Sequence, residues 1–90
     1  MAWRRKRTAA TVTELLRVES ILEADPALRR CLGPKNVPAR KRNGDLVSFS
    51  LPTVAVAKEL MARNLNPERA HVRTVLRVAA DVVFRGRSPV

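Results

Sequence analysis

At 90 residues the chain has room for one domain and buries only about 60–65% of its unfolded surface, too little for both a sizeable core and an enclosed active site. A hydrophobic content of 46% is that of a globular protein, but aromatics make up only 3% (Trp3, Phe49 and Phe84), so the core must be aliphatic. Eighteen Lys and Arg oppose eight Asp and Glu, and a net charge of +10 repels itself unless a polyanion or an acidic partner offsets it.

Residues 1–10 begin MAWRRKRT and read as a flexible basic arm with no helical face. Thr11-Val12-Thr13-Glu14 has the spacing of a capping box. Leu15, Val18 and Leu22 then recur every three or four residues, with Val12 and Ile21 at the margins, and predict a helix over 12–24. Asp25-Pro26 ends it and opens a short helix over 26–32, since Asp caps and Pro at the first helical position lacks only an N–H that would be unpaired anyway. Gly33-Pro34 stops that helix.

A hairpin is predicted at about 38–50. Asn43-Gly44 is the signal of a two-residue type I′ loop, which sets Arg42 opposite Asp45, Lys41 opposite Leu46 and Arg40 opposite Val47. Downstream, Val47, Phe49 and Leu51 alternate with Ser48 and Ser50, while Pro38 confines the upstream strand to an edge. Ser50 or Thr53 caps a third helix over 53–64, whose apolar face holds Val54, Ala57, Leu60 and Met61. Asn66-Pro67 repeats the cap-plus-Pro device and opens a fourth helix over 67–84. There Val72, Val75, Leu76, Ala79 and Val83 form one stripe and Arg69, Arg73 and Arg77 an adjacent ridge, continued by Asp81 as a partner for Arg77. Gly86 is the stop, and 87–90 form a tail. The expected fold is mainly α with one short β-hairpin, α-α-β-hairpin-α-α, in a single domain over 11–86. A winged-helix-like arrangement is one version of it.

Little in the chain points to catalysis, and the protein is expected not to be an enzyme. Each acid has a local structural use, and His71 stands alone in the first turn of the predicted fourth helix, where a surface His is the simpler reading. No P-loop, G-x-S-x-G or H-E-x-x-H occurs. One Cys (Cys31) and one His do not make a tetrahedral zinc site, so neither metal nor cofactor is expected. The lone Cys also excludes an internal disulfide and points to a reducing, intracellular compartment: cytoplasm, nucleoid, or the nucleus of a eukaryotic or viral system. The apolar runs fall short of the ~20 residues a membrane span needs, and the start lacks a signal peptide's apolar core.

The charge is clustered. Candidate nucleic-acid contacts are the arm residues Arg4, Arg5, Lys6 and Arg7; the run Arg29, Arg30, Lys35, Arg40, Lys41 and Arg42, with no acid between 26 and 44; and the ridge Arg69, Arg73 and Arg77, followed by Arg85 and Arg87. Nearly all are Arg, whose planar fork suits phosphate. Coding bias accounts for an Arg excess equally well, but not for the shortage of acids. Pro38-x-Arg40-x-x-x-Gly44 partly resembles the wing of MerR- and excisionase-type DNA-binding proteins, where a wing also leads into a helix. The aromatics and Arg that follow the Gly in those wings are here Asp45, Leu46 and Ser48, and no helix-turn-helix with a turn Gly precedes it.

The expected function is phosphate-directed nucleic-acid binding, with duplex DNA favoured, in a regulatory or architectural role. Two alternatives stay open. One is a shape-reading RNA binder, virus-encoded or ribosome-associated, with the Arg ridge spanning an A-form groove and Trp3 stacking on an unpaired base. The other is a virus- or phage-type inhibitor that binds an acidic protein surface. A homodimer through the fourth-helix stripe is a further option beside its use as monomer core.

Overall fold

A computed structural model describes residues 9–41 and 43–84. Its elements are α1 (Val12–Ala24), α2 (Pro26–Leu32), β1 (Lys35–Arg40), β2 (Leu46–Ser50), α3 (Leu51–Ala62) and α4 (Val72–Phe84), in the order expected from the sequence. Residues 1–8 of the expected arm, Arg42, the Gly86 stop and the tail lie outside the described residues, while Ala10, expected in the flexible arm, is partly buried and packs against the core.

The first two helices follow their local signals. The capping box forms: Glu14 N–H donates to Thr11 Oγ1 at 3.1 Å, and Thr11 N–H to Glu14 Oε1 at 2.9 Å. Asp25 Oδ1 accepts from the Ala27 and Leu28 N–H groups at 3.0 and 3.1 Å, with Pro26 in the first turn of α2.

All four helices and β2 feed one core: Leu15, Val18 and Leu22 of α1, Leu28 and Leu32 of α2, Phe49 of β2, Val56, Ala57 and Leu60 of α3, and Val75, Val78, Ala79 and Val83 of α4. α1 packs on the other three helices, and α3 carries both strands of the hairpin. The α4 stripe is therefore core within one chain. It is also rotated from the expected one. Val78 is buried, while Val72 is nearly half exposed and Leu76 only partly covered. On α3, likewise, Val56 is fully buried and Val54 and Met61 are only partly so.

The hairpin forms with its register shifted by one from the expectation. Arg40 pairs with Leu46, Ala39 with Val47, Pro38 with Ser48 and Val37 with Phe49, with a bulge before Lys35 meets Ser50. The loop is longer than the two-residue kind. Lys41 N–H donates to Asp45 O at 2.7 Å, Gly44 N–H donates to Lys41 O at 3.0 Å, and Gly44 has φ +91°. This is the three-residue loop closed by a left-handed glycine. Among the described residues Asn64 is the only non-glycine with positive φ, so Asn43 does not take the type I′ conformation.

The shift has a physical reason. A one-residue slip exchanges the faces of a strand. In the observed register Val37 and Ala39 join Val47 and Phe49 on the covered face, and Arg40 goes with Pro38, Leu46 and Ser48 to solvent. The expected register would have set Arg40 against Val47.

The last two helices start elsewhere than expected. β2 runs into α3 with no loop, so α3 begins at Leu51 with Ser50 in the N-cap position and Pro52 in its first turn. The Ser50 hydroxyl makes no cap bond. It pairs instead with the Thr53 hydroxyl at 2.9 Å, and both residues are fully buried. α3 ends on Asn64 (φ +61°), where Asn64 N–H bonds Met61 O and Leu65 N–H bonds Leu60 O, both at 2.9 Å, with Asn in the place Gly usually takes.

Asn66-Pro67 opens only one turn. Asn66 Oδ1 accepts from Glu68 N–H, and Asn66 O accepts from Arg69 and Ala70 N–H. The Pro67 carbonyl, which a continuous helix would give to His71 N–H, accepts instead from Arg17 Nη1 at 3.0 Å. The chain is then capped a second time by His71, whose Nδ1 accepts from Arg73 N–H at 3.0 Å, and α4 begins at Val72. His71 is thus a capping residue, and Arg69 lies in the preceding turn rather than on α4.

Candidate nucleic-acid interface

The carboxylates are largely occupied inside the fold. Glu14 and Asp25 cap helices. Asp45 accepts from Asn43 Nδ2 at 3.1 Å beside the hairpin loop. Four more converge on two cations. Arg63 Nε lies 2.8 Å from Glu59 Oε2 and its Nη2 3.3 Å from Asp81 Oδ2, which ties the end of α3 to α4. Asp81 therefore meets Arg63 rather than the expected Arg77.

Lys35 Nζ lies 3.3 Å from both Glu19 Oε1 and Glu23 Oε2. Hydrogen bonding with Glu23, then with Glu19, together with the charges of both, raises the Lys35 ammonium above the ordinary lysine pKa. Lys35, a member of the candidate basic run, is thus held by two acids of α1.

The remaining candidate cations stand differently. Arg29, Arg30, Arg40, Lys41, Arg69, Arg73 and Arg77 are exposed and make no side-chain ion pair or hydrogen bond among the described residues. Lys58 of α3 shares this condition and lay outside the clusters read from the sequence, because Glu59 follows it directly and its nearest cation, Arg63, is five residues on. Arg4, Arg5, Lys6, Arg7, Arg42, Arg85 and Arg87 lie outside the described residues.

Two hollows adjoin where the hairpin meets the start of α1. One, of about 490 Å³, is lined by Ala10–Thr13 and by Ala39, Arg40 and Lys41. The other, of about 570 Å³, is lined by Val12, Thr13, Leu16, Lys41 and Asn43. A third hollow, of about 360 Å³, lies at the far end of α1, between Ser20, Ile21 and Ala24, the start of α2, and Val72 and Leu76 of α4.

The basic surface divides accordingly. Arg40 and Lys41 rim the hollows at the start of α1. At the other end, Arg30 stands one turn beyond Pro26 and Arg73 next to Val72, and Pro26 and Val72 line the same hollow. The two ends are about 15 Å apart at 1.5 Å per residue along α1. Between them the exposed face of α1 offers Thr13, Leu16 and Ser20, none of them charged. Arg73 and Arg77 remain one turn apart on the outer side of α4, so the expected three-residue helical ridge is reduced to two.

No group of three or more metal-ligating side chains occurs among the described residues, and no helix there is long and apolar enough to cross a membrane. No family model, curated protein or solved structure matches the chain.

Proposed function

We propose that the protein binds nucleic acid, duplex DNA in preference, by contacting phosphates through the exposed cations of the hairpin tip, α2 and α4. The observation that carries this reading is the segregation of charge. Glu14 and Asp25 serve caps and four more acids two ion-pair anchors, while Arg29, Arg30, Arg40, Lys41, Arg73 and Arg77 point to solvent without partners among the described residues. Unpaired surface cations repel one another, and neutralising them against phosphates releases condensed counterions. Duplex DNA is favoured because Arg40 and Lys41 sit at a hairpin tip beside the exposed, uncharged Thr13 and Leu16 of α1, an arrangement suited to gripping backbone. A regulatory or architectural role follows from small size and phosphate-directed contacts.

A shape-reading RNA binder is the second reading, supported by the one-turn spacing of Arg73 and Arg77 on the outer side of α4. Competition between duplex DNA, duplex RNA, single strands and polyglutamate at matched salt separates the readings. Duplex DNA should compete best. Duplex RNA competing best would move the assignment to RNA, and polyglutamate competing best would move it to an acidic protein partner. Arg73→Ala and Arg77→Ala should weaken DNA and RNA binding by different amounts. Equal losses would mean a diffuse charge effect rather than a surface that distinguishes the two helices.

A further inference from the structure

We infer that Lys35, Glu19 and Glu23 form an anchor that holds the hairpin against α1 and so presents Arg40 and Lys41, which makes the two carboxylates assets for nucleic-acid binding in spite of their charge. The inference rests on the proposed function and goes beyond it, because it assigns Lys35 a positioning role where charge alone would make it a phosphate contact.

Lys35 is the first residue of β1 and pairs with Ser50, where β2 passes directly into α3. Its ammonium bridges Glu19 and Glu23, one turn apart in the second half of α1. The other end of the hairpin lies at the first turn of α1, where Lys41 and Asn43 share a hollow with Val12, Thr13 and Leu16. β1 therefore runs alongside α1 in the opposite direction, fixed by an ion pair at one end and ending in cations at the other. From Lys35 to Lys41 the strand spans about 20 Å at 3.3 Å per residue, so a small change of angle at the base is a large displacement at the tip.

The Glu19 carboxylate is ill placed for any other role. Its side chain is only 8% exposed, Oε1 meets Lys35, and Oε2 has no hydrogen-bond partner. A carboxylate buried to this degree depends on its one cation. If Lys35 left for a phosphate, the Glu19 carboxylate would be left in a covered site without its one counter-ion. The Lys35 contact is thus retained in the complex, and Arg40 and Lys41 do the binding.

Opposite signs distinguish the two roles. If charge alone governs, Glu19→Gln removes a repulsive acid and frees Lys35, and affinity for a polyanion rises. If the anchor governs, Glu19→Gln loosens the hairpin and affinity falls. The full chain is titrated with nonspecific duplex DNA at matched salt, well below the thermal midpoint of each variant. Glu68→Gln is the charge-matched control, since the Glu68 side chain is exposed and makes no contact among the described residues.

The expected result is a roughly three- to tenfold loss for Glu19→Gln, the scale on which a residue outside the contact surface modulates binding, with an unchanged or tighter complex for Glu68→Gln. Tightening of Glu19→Gln to match Glu68→Gln would overturn the anchor. A second readout needs no nucleic acid: the amide resonances of Ala39 and Lys41, and the proximity of Lys41 to Val12 and Leu16, are compared by NMR. Both should change in Glu19→Gln, and an unaltered hairpin there also overturns the inference. If the parent chain fails to bind any duplex, the proposed function falls, and the NMR comparison still decides the anchor.

Discussion

At the base of the hairpin Lys35 is held between Glu19 and Glu23, while at its tip Arg40 and Lys41 make no ion pair among the described residues. All three belong to one basic run in the sequence. What separates them is α1, which brings Glu19 and Glu23 to the base and, at the tip, a first turn whose acid, Glu14, is buried in the capping box. Local charge density therefore says little about which cations are available. Availability is set by the partner element, and here it divides one run into an ion-paired end and an exposed end.

Several substitutions probe that division. The largest effect belongs to the base. Phe49 is buried where β2 meets the core, and Phe49→Ala should cost about 3–5 kcal/mol, lowering the thermal midpoint enough to bring a chain of this size close to unfolding. A loss below 1 kcal/mol would mean that the hairpin is not seated on the helices as described.

An intermediate effect calibrates the scale away from the hairpin. His71→Ala removes the Nδ1 acceptor of the α4 cap and should cost about 1 kcal/mol, with His71→Asn recovering most of it. Equal stabilities of the Ala and Asn variants in chemical denaturation would remove the cap from the account.

The ionic part of the base is a smaller term, since Lys35 is half exposed. Its folded pKa is raised by Glu23 and Glu19, so its contribution is complete below the ordinary lysine value near 10.5 and is lost as pH rises through the raised value. The gap in thermal midpoint between the parent and Lys35→Met should hold through neutral pH and narrow only above that value. A gap that closes below pH 9 would contradict the assignment.

At the tip the stability effect should be smallest and the binding effect plain. Arg40→Ala with Lys41→Ala should change stability by no more than about 0.5 kcal/mol. The same pair should flatten the dependence of log K on log salt by about 2, near 0.9 for each phosphate that is no longer neutralised. A large stability loss would make the tip structural and erase the contrast with the base.

The sequence showed elements whose determinants are local. Thr11 with Glu14, and Asp25 with Pro26, contain all that is needed to place α1 and α2, and both helices lie where those signals put them. Asn43-Gly44 announced the hairpin, and Phe49 was legible as its buried anchor. The register was not legible, because it depends on which strand face meets α1 and α3, and a one-residue difference in loop length decides it. The start of α4 was hidden for the same kind of reason. Asn66-Pro67 is a sound helix opening, but Arg17, fifty residues earlier, takes the Pro67 carbonyl. Of the candidate site, Arg40, Lys41, Arg73 and Arg77 are exposed. The pairing of Lys35 and the turn position of Arg69 could be seen only once the helices were assembled.

The most direct test of the central claim is the affinity of the full chain for a nonspecific DNA duplex across a series of salt concentrations. If about six of the exposed cations meet phosphates, log K should fall against log salt with a slope of about −5. Binding that does not respond to salt, or no binding even at low salt, would contradict the claim that these unpartnered cations form a phosphate-binding surface.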